Sequence, residues 1–86
     1  MKEIQPVGIW YNGAIIQATI FNLTSVNDNL STEATFLYQL YSADNIALTN
    51  GNITMDGFDY EAYSTSPDSN AYAYQWGAQK LNITLI

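Results

Sequence analysis

The stretch TEATFLYQLYSADNIALTNGNITM, residues 32–55, contains two alternating apolar patterns separated by an Asp44–Asn45 pair. Alternation with a period of two is typical of a β-strand that has one face in the core. Asp and Asn tolerate positive φ angles, so this pair predicts a two-residue hairpin turn. The predicted apolar pairs are Ala34 with Met55, Phe36 with Ile53, Tyr41 with Leu48, and Ala43 with Ile46.

This register is specific, because a slip of one residue would mispair nearly all of these positions. It also places Gly51 opposite Tyr38, whose ring could cover the bare glycine backbone. The alternative turn is Asn50–Gly51, since Asn-Gly is the dipeptide with the strongest hairpin preference. That turn would leave flanking strands of only about four residues. We therefore favour the longer hairpin, with Asn50–Gly51 as a bulge or twist point.

Two further strands are predicted before this hairpin. Residues 7–12, VGIWYN, form a short apolar and aromatic run. Residues 14–24, AIIQATIFNLT, also alternate between apolar and polar side chains. Their apolar residues lie first on one face of the strand and, from Phe21 and Leu23 onward, on the other face. The first 56 residues thus predict a small antiparallel sheet of about four strands, which could be sandwich-like.

The last third of the chain has the composition of helices. Asp56 is a capping residue ahead of a short helical turn at 57–63, GFDYEAY, and Asp59 would lie near the positive end of that helix. Pro67 disfavours helical backbone at the residue before it, so residues 64–70, STSPDSN, are predicted to form a loop.

A second helix is predicted at residues 71–81, AYAYQWGAQKL, with Ser69 or Asn70 as its cap. Most of these residues are good helix formers, although the alternation of aromatic residues also fits a strand. At helical spacing one apolar stripe forms, with Tyr72 and Trp76 beside it. The members of that stripe are Ala71, Tyr74, Ala78 and Leu81.

These elements predict one α+β domain. Residues 1–56 form its β-rich part and residues 57–81 its helical cap. Residues 82–86, NITLI, are expected to be extended and could form an edge strand.

The charge of the chain argues against two classes of partner. The net charge is −6, from eight acidic residues against Lys2 and Lys80. Two cations cannot neutralise a run of phosphates, so we expect neither nucleic-acid binding nor attraction to an anionic membrane. No apolar run is long enough to span a membrane or to form the apolar region of a signal peptide. A surface with few charges instead favours contact with other protein chains, because uncharged polar groups cost less to bury.

The residue types present also argue against an enzyme and against a cofactor. The chain contains no His, Cys or Arg, so nucleophile–histidine pairs, zinc sites of the usual kind and arginine clamps are excluded. Asp56, Asp59 and Glu61 could in principle act as acid and base, but acids at a helix start are common for electrostatic reasons alone. No segment matches a calcium-binding loop with its fixed ligand positions, and a structural Ca²⁺ remains an open alternative.

The aromatic residues on either side of the 64–70 loop have two interpretations. In the first they pack the helices onto the sheet, since a small domain needs the large apolar area of such rings. The residues assigned to this core are Phe58, Tyr60, Tyr63, Tyr74 and Trp76. In the second some rings form an exposed interaction surface. The candidates for that surface are Trp10, Tyr11, Tyr63 and Tyr72.

Three segments carry a resemblance to known proteins: NDNLSTEATFLYQL at 27–40, GNITMDGFDYEAY at 51–63 and NAYAYQWGAQKLNITLI at 70–86. Together with PVGIWYNG near the N-terminus, they resemble a group of small bacteriophage proteins. This resemblance implies a capsid decoration, head-fibre or tail-associated protein. It also implies a location in the virion after synthesis in the bacterial cytoplasm. Its partners would be further copies of itself, as a homo-oligomer, or other virion proteins.

The leading hypothesis is therefore a non-enzymatic virion protein that acts through protein–protein assembly. The alternative is a carbohydrate-binding module, in which exposed Tyr and Trp rings stack on a host-surface glycan. A small acidic inhibitor that mimics nucleic acid is disfavoured, because the acids from Glu3 to Asp68 are scattered and not densely spaced.

Overall fold

The computed structural model describes residues 1–86 and shows a four-stranded sheet followed by two helices. The elements are β1 (Lys2–Tyr11), β2 (Ala14–Asp28), β3 (Glu33–Tyr41), β4 (Ala47–Asp56), α1 (Gly57–Thr65) and α2 (Ser69–Leu81). The strands are antiparallel and lie in the order β1-β2-β3-β4, so each pairs with its neighbour in the chain. The predicted α+β class is confirmed. Helices, and not a second sheet, cover the single sheet, so the sandwich-like option is not realised.

The predicted β3–β4 register is confirmed over most of the hairpin. Ala34 lies opposite Met55, Phe36 opposite Ile53, and Tyr38 opposite Gly51. The Tyr38 ring covers Gly51 so closely that an added Cβ would lie 2.7 Å from the Tyr38 hydroxyl oxygen. The alternative turn at Asn50–Gly51 is wrong, and neither residue forms the bulge that we expected there.

The predicted register is wrong at the turn end of the hairpin. Tyr41 pairs with Ala47 and not with Leu48, because the register shifts by one residue after Leu40. The cause is Ser42, whose Oγ accepts hydrogen bonds from the backbone N–H groups of Asp44 and Ile46. Its own N–H donates to the Ile46 carbonyl, which closes a loop one residue longer than predicted.

That longer loop comprises Ala43, Asp44 and Asn45, so Ala43 does not pair with Ile46 as predicted. Asn45 has a φ of 63°, as the last residue of a three-residue hairpin loop commonly does. The extra residue on the other strand is Leu48, a bulge whose side chain is buried in the core.

The first hairpin extends further than the sequence pattern predicts. Its turn is Asn12–Gly13, with φ values of 49° and 81°, which matches the positive angles of a type I′ turn. Strand β1 begins at Lys2 because the register shift between Glu3 and Val7 accommodates Pro6. A proline is tolerated in a strand at such an irregularity, since it removes no required ladder hydrogen bond there.

Strand β2 bends along its length. A straight strand of 15 residues would be about 50 Å long, whereas the longest extent of the molecule is 42 Å. The apolar pattern of β2 changes from one face to the other in the part of the strand that contacts the core, where Ala18 and Phe21 are both fully buried. Strand β1 also approaches β4, although two strands separate them in the sheet. The sheet is therefore strongly curved.

The C-terminal segment pairs with the outer edge of β1. Ile4 and Leu85 form an antiparallel bridge, the Gln5 N–H donates to the Thr84 carbonyl, and the Ile86 N–H donates to the Glu3 carbonyl. The C-terminal segment therefore contacts the edge of β1 through one isolated bridge and does not form the edge strand that was the alternative prediction. It covers β1 at its irregular part, where Ile4 is buried.

Both helices form close to the predicted positions, with different caps. Asp56 occupies the N-cap position of α1 but makes no side-chain cap hydrogen bond, so that part of the prediction is wrong. Helix α2 is capped by Asp68, whose Oδ1 accepts from the Ala71 N–H, and not by Ser69 or Asn70. At the other end Asn82 adopts a left-handed conformation and its N–H bonds to the last carbonyls of α2.

Two adjoining apolar clusters hold the helices against the sheet. The first, cluster 1, contains Ile4, Ala18, Phe21, Leu40, Leu48, Tyr74 and Ala78. The second, cluster 2, contains Ala34, Phe36, Met55, Tyr60, Ala73 and Trp76. Helix α2 contributes to both clusters, and α1 contributes Tyr60 to the second. The predicted stripe on α2 is therefore correct at Tyr74 and Ala78 but extends to Ala73, Trp76 and Gly77.

Tyr74 completes the edge of β2. Strand β1 pairs with β2 only as far as Phe21, so Leu23 has no strand neighbour on that side. The Leu23 N–H donates to the Tyr74 hydroxyl over 3.1 Å, and the hydroxyl lies 3.3 Å from Asn22 Oδ1 and 3.4 Å from the Leu23 carbonyl oxygen. The Tyr74 ring meets Phe21 edge to face at 5.3 Å.

Tyr74→Phe should lower the free energy of unfolding by about 1–3 kcal/mol, because it leaves the Leu23 N–H without its acceptor. Urea denaturation followed by circular dichroism would measure this loss. Tyr63→Phe is the matched control, since its half-buried ring packs on Phe36 and the hydroxyl makes no hydrogen bond within the chain. An equal loss in both variants would contradict the role assigned to the Tyr74 hydroxyl.

Candidate functional site

The aromatic residues near the α1–α2 connection are mostly core, with one exception. Tyr60, Tyr74 and Trp76 are buried, as predicted. Phe58 is 90% exposed, so its assignment to the core is wrong. The reason is helical geometry: Phe58 lies two positions before the buried Tyr60, and this spacing turns its side chain roughly 200° around α1 from that of Tyr60.

The four predicted interaction residues occupy different places. Tyr63 is half-buried and meets the Phe36 ring edge to face at 5.7 Å. Tyr72 is half-buried against the same cluster 2, and its hydroxyl lies 3.5 Å from Asp59 Oδ1. Tyr11 is half-buried against cluster 1. Trp10 alone is largely exposed, at 72%.

Tyr63 and Tyr72 both pack against cluster 2, whereas Trp10 lies apart from that cluster. Phe36, which lies under Tyr63, pairs with Ser25 of β2, whereas Trp10 pairs with Ile15. These positions are ten residues apart on β2, which is about 33 Å along a strand. The candidates therefore divide into one site on β1 and another on the helices.

The β1–β2 hairpin presents an exposed apolar pair close to its turn. Trp10 is directly opposite Ile15, which is 67% exposed. The Ile15 side chain lies over Gly8, where an added Cβ would be only 2.9 Å from Ile15 Cγ2. Ile15 thus leans on bare backbone, and the indole of Trp10 stands beside it with most of its surface in solvent. We call this pair the hairpin patch.

A second exposed feature surrounds Phe58. A groove of about 470 Å³ lies between the β2–β3 loop and the outer face of α1. Its lining residues are Ser31, Thr32, Gly57, Phe58, Tyr60, Glu61 and Ser64. Phe58 also borders a shallower depression on its other side, with Glu61, Ala62 and Thr65. We call the larger feature the Phe58 groove.

The loop wall of the Phe58 groove is held by its own hydrogen bonds. Asn29 Oδ1 accepts from the backbone N–H groups of Ser31, Thr32 and Glu33, at 2.9, 2.8 and 3.1 Å. Asp28 Oδ1 accepts from the Leu30 N–H at 2.8 Å and from the Tyr60 hydroxyl at 2.7 Å. The loop is thereby tied to α1, and the groove is preformed.

Most of the acidic residues lie in chain segments that form this groove or adjoin it, and Glu61 lines it. Six of the eight lie in the β2–β3 loop and the strand ends beside it, in α1, and in the α1–α2 connection: Asp28, Glu33, Asp56, Asp59, Glu61 and Asp68. Glu33 and Asp56 are directly opposed in the β3–β4 ladder, an arrangement of like charges that destabilises a sheet. Neither lysine is close by in the chain: Lys80 is in the last turn of α2, and Lys2 lies over the Tyr74 ring.

Two tyrosine hydroxyls of this region have perturbed acidities. The hydrogen bond to Asp28, together with burial, raises the pKa of Tyr60 above 10.0. Burial, and then the nearby Asp59 carboxylate, raise the pKa of Tyr72 above the same value. In both cases the neutral hydroxyl is favoured because the ionised form would be poorly solvated and would face a carboxylate.

One buried polar group has no partner. The Trp76 Nε1–H is enclosed in cluster 2 and makes no hydrogen bond. Such an orphaned donor carries a cost of about 1–3 kcal/mol, which the apolar area of the indole must offset. Trp76 is therefore a packing residue, and its ring is not available to a ligand at the surface.

The spacing between Phe58 and Tyr60 is a sequence signal for the exposure of Phe58. Tyr60 is the only buried residue of α1, so Phe58, two positions before it, lies on the opposite, solvent-facing side of that short helix. No group of three or more His, Cys, Asp or Glu side chains is arranged to hold a metal ion. No helix is long and apolar enough to cross a membrane. The Phe58 groove presents the Glu61 carboxylate, several hydroxyl groups and the Phe58 ring, and these groups can contact a bound partner.

Comparison of the chain with protein-family models, with curated proteins and with solved structures gives no match.

Stability should fall at alkaline pH through Tyr60 and Tyr72. Because their folded pKa values lie above 10.0, their contribution is complete below that pH and is lost as pH rises through the raised values. Urea midpoints measured between about pH 9 and about pH 11 should decline less in the Tyr60→Phe/Tyr72→Phe double variant than in the wild type. Parallel decline in both proteins would contradict this assignment.

Proposed function

We propose that this chain is a non-enzymatic bacteriophage protein, structural or otherwise virion-associated, that acts through protein–protein assembly. The observation that carries the proposal is the hairpin patch, in which Trp10 and Ile15 are opposed, adjacent and mostly exposed. Tryptophan is enriched among the residues that dominate binding energy at protein interfaces. An exposed Trp–Ile pair on a two-stranded ribbon is suited to burial in a neighbouring subunit.

The distribution of charge supports the same proposal. Residues 4–27, which include almost all of the β1–β2 hairpin, contain no charged side chain. The whole of β4 before Asp56 is likewise uncharged, and β4 is an edge strand of the sheet. Uncharged polar and apolar surfaces are cheaper to desolvate than charged ones, and an uncharged sheet edge pairs readily with another strand.

The assignment to a virion follows from the resemblance of residues 27–40, 51–63 and 70–86 to small bacteriophage proteins. On this proposal the chain is made in the bacterial cytoplasm and is incorporated in a head or tail, as repeated copies or bound to a larger virion protein. The restricted area of the hairpin patch suits a component that contacts its neighbours through small, repeated interfaces.

Size-exclusion chromatography with light scattering, over a concentration series, tests assembly. We expect a defined oligomer whose mass falls toward that of the monomer in Trp10→Ser and Ile15→Thr, because each removes half of the hairpin patch. Val26→Thr is the matched control, since Val26 is an exposed apolar residue of the same strand outside the patch. A wild-type monomer at every concentration would contradict self-assembly.

The virion assignment has its own test, which is mass spectrometry of purified particles of the phage that encodes the chain. We expect the chain at several copies per particle. Its absence from particles, with its presence in the infected cell, would contradict the assignment.

A carbohydrate-binding module is the second candidate, and the exposed face of Trp10 favours it, because flat aromatic rings stack on sugars. Trp76 cannot serve in this role, since it is buried. A glycan array probed with the wild type and with Trp10→Ala and Ile15→Thr separates the two candidates. Sugar stacking requires the indole and tolerates Ile15→Thr, whereas assembly requires both residues. An array with no hits would remove this candidate.

A further inference from the structure

We propose that the Phe58 groove is a docking site for a cationic segment of a partner protein, one that combines Lys or Arg side chains with an apolar residue. This inference concerns a different face from the hairpin patch and goes beyond the assembly role. It starts from Phe58, the most exposed large apolar residue of the chain, at 90%. An aromatic ring in this position, beside a groove, offers an apolar anchor to a partner.

The form of the groove supports binding of a short extended or helical segment. Its volume of about 470 Å³ lies within the range of ligand sites, and one side is the Phe58 ring while the other is the β2–β3 loop. Because Asn29 and the Asp28–Tyr60 hydrogen bond hold that loop in place, a partner would not need to order it on binding. A preformed site reduces the entropic cost of association.

The charge around the groove determines the class of partner. Glu61 lines it, and Glu33, Asp56 and Asp59 each adjoin a lining residue in the chain. A cation of the partner placed beside Glu61 would be attracted by this negative charge. The chain cannot supply such a cation from α2, because Lys80 lies in the last turn, at the opposite end from the α1–α2 connection.

The same charges disfavour other occupants. At this groove a second copy of the chain could offer only Lys2 and Lys80 as cations, and it carries a net charge of −6, so it matches the groove less well than a cationic segment does. Nucleic acid would be repelled by the negative charge. The free apolar ring and the surrounding carboxylates together match a segment with alternating basic and apolar residues, which can place its apolar side chains on Phe58 and its cations beside the acids.

The test is fluorescence anisotropy with labelled synthetic peptides of one length. The first peptide alternates Lys and Leu, the second replaces Leu by Ser, and the third replaces Lys by Gln. We expect the Lys–Leu peptide to bind at least about tenfold more tightly than either of the others, since it alone supplies both components. Its affinity should fall as salt is raised from about 0.05 to about 0.3 M, as for an exposed charged interface.

Variants of the full chain locate the site. Phe58→Ser should weaken binding of the Lys–Leu peptide by about tenfold or more, as for loss of a central aromatic anchor. Glu61→Gln should weaken it by a smaller factor, and Asp44→Asn is its matched control, because Asp44 lies in the β3–β4 turn. Phe58 is so exposed that its replacement should not affect folding, which circular dichroism would check.

Three outcomes would overturn the proposal. One is that the Lys–Leu peptide binds no more tightly than the Lys–Ser peptide, which indicates attraction by charge alone. Another is that Asp44→Asn and Glu61→Gln weaken binding equally. The last is that Phe58→Ser leaves peptide binding unchanged but lowers the mass of an oligomer, in which case the occupant is a second copy. Because Trp10→Ser leaves the Phe58 groove intact, failure of assembly does not affect this result.

Discussion

The contact between Tyr74 and strand β2 is the interaction on which the arrangement of the domain depends. Strand β2 is longer than β1, so part of its edge has no strand beside it, and the Tyr74 hydroxyl takes the place of that strand at Leu23. The same ring packs on Phe21, and Gly77, one helical turn later, lets α2 approach so closely that a Cβ there would lie 3.1 Å from the Phe21 ring. With α2 fixed in this way, α1 is held between β4 and α2, and the chain after α2 is directed back to β1.

Much of this fold could be predicted from the sequence because β3 and β4 have a simple alternating pattern. Opposed apolar residues and the Tyr38–Gly51 pair determine the register from Glu33 to Leu40. The register prediction fails at the turn, where the Ser42 side chain stabilises a loop one residue longer than predicted. Its Oγ accepts hydrogen bonds from two backbone N–H groups of the turn, and the alternating apolar pattern gives no sign of these bonds. It also fails at β1, where Pro6 argues against a strand and a local irregularity accommodates it.

The candidate sites were less predictable than the fold, for a different reason. The composition indicates that many aromatic rings are present but not which of them the core can hold. Tyr63 and Tyr72 border the polar loop in the chain, yet both rest on cluster 2, because the two helices pack over Phe36 of β3, with Trp76 of α2 against the Phe36 ring. Phe58 and Trp10 remain outside since α1 and β1 each have one face toward the core and one toward solvent. Exposure is thus a property of the tertiary arrangement, and local sequence indicates it only where helical or strand spacing is unambiguous.

The bridge between Ile4 and Leu85 also constrains how the chain folds during its synthesis. The two hairpins are built from neighbouring residues and can form as soon as they leave the ribosome, whereas this bridge joins positions at opposite ends of the sequence. Until residues 82–86 have been translated, Ile4 lacks part of its cover and the irregular edge of β1 is unprotected. Completion of the core therefore waits for residues 82–86. A nascent chain that stalls before Leu85 would expose a strand edge through which such chains can aggregate.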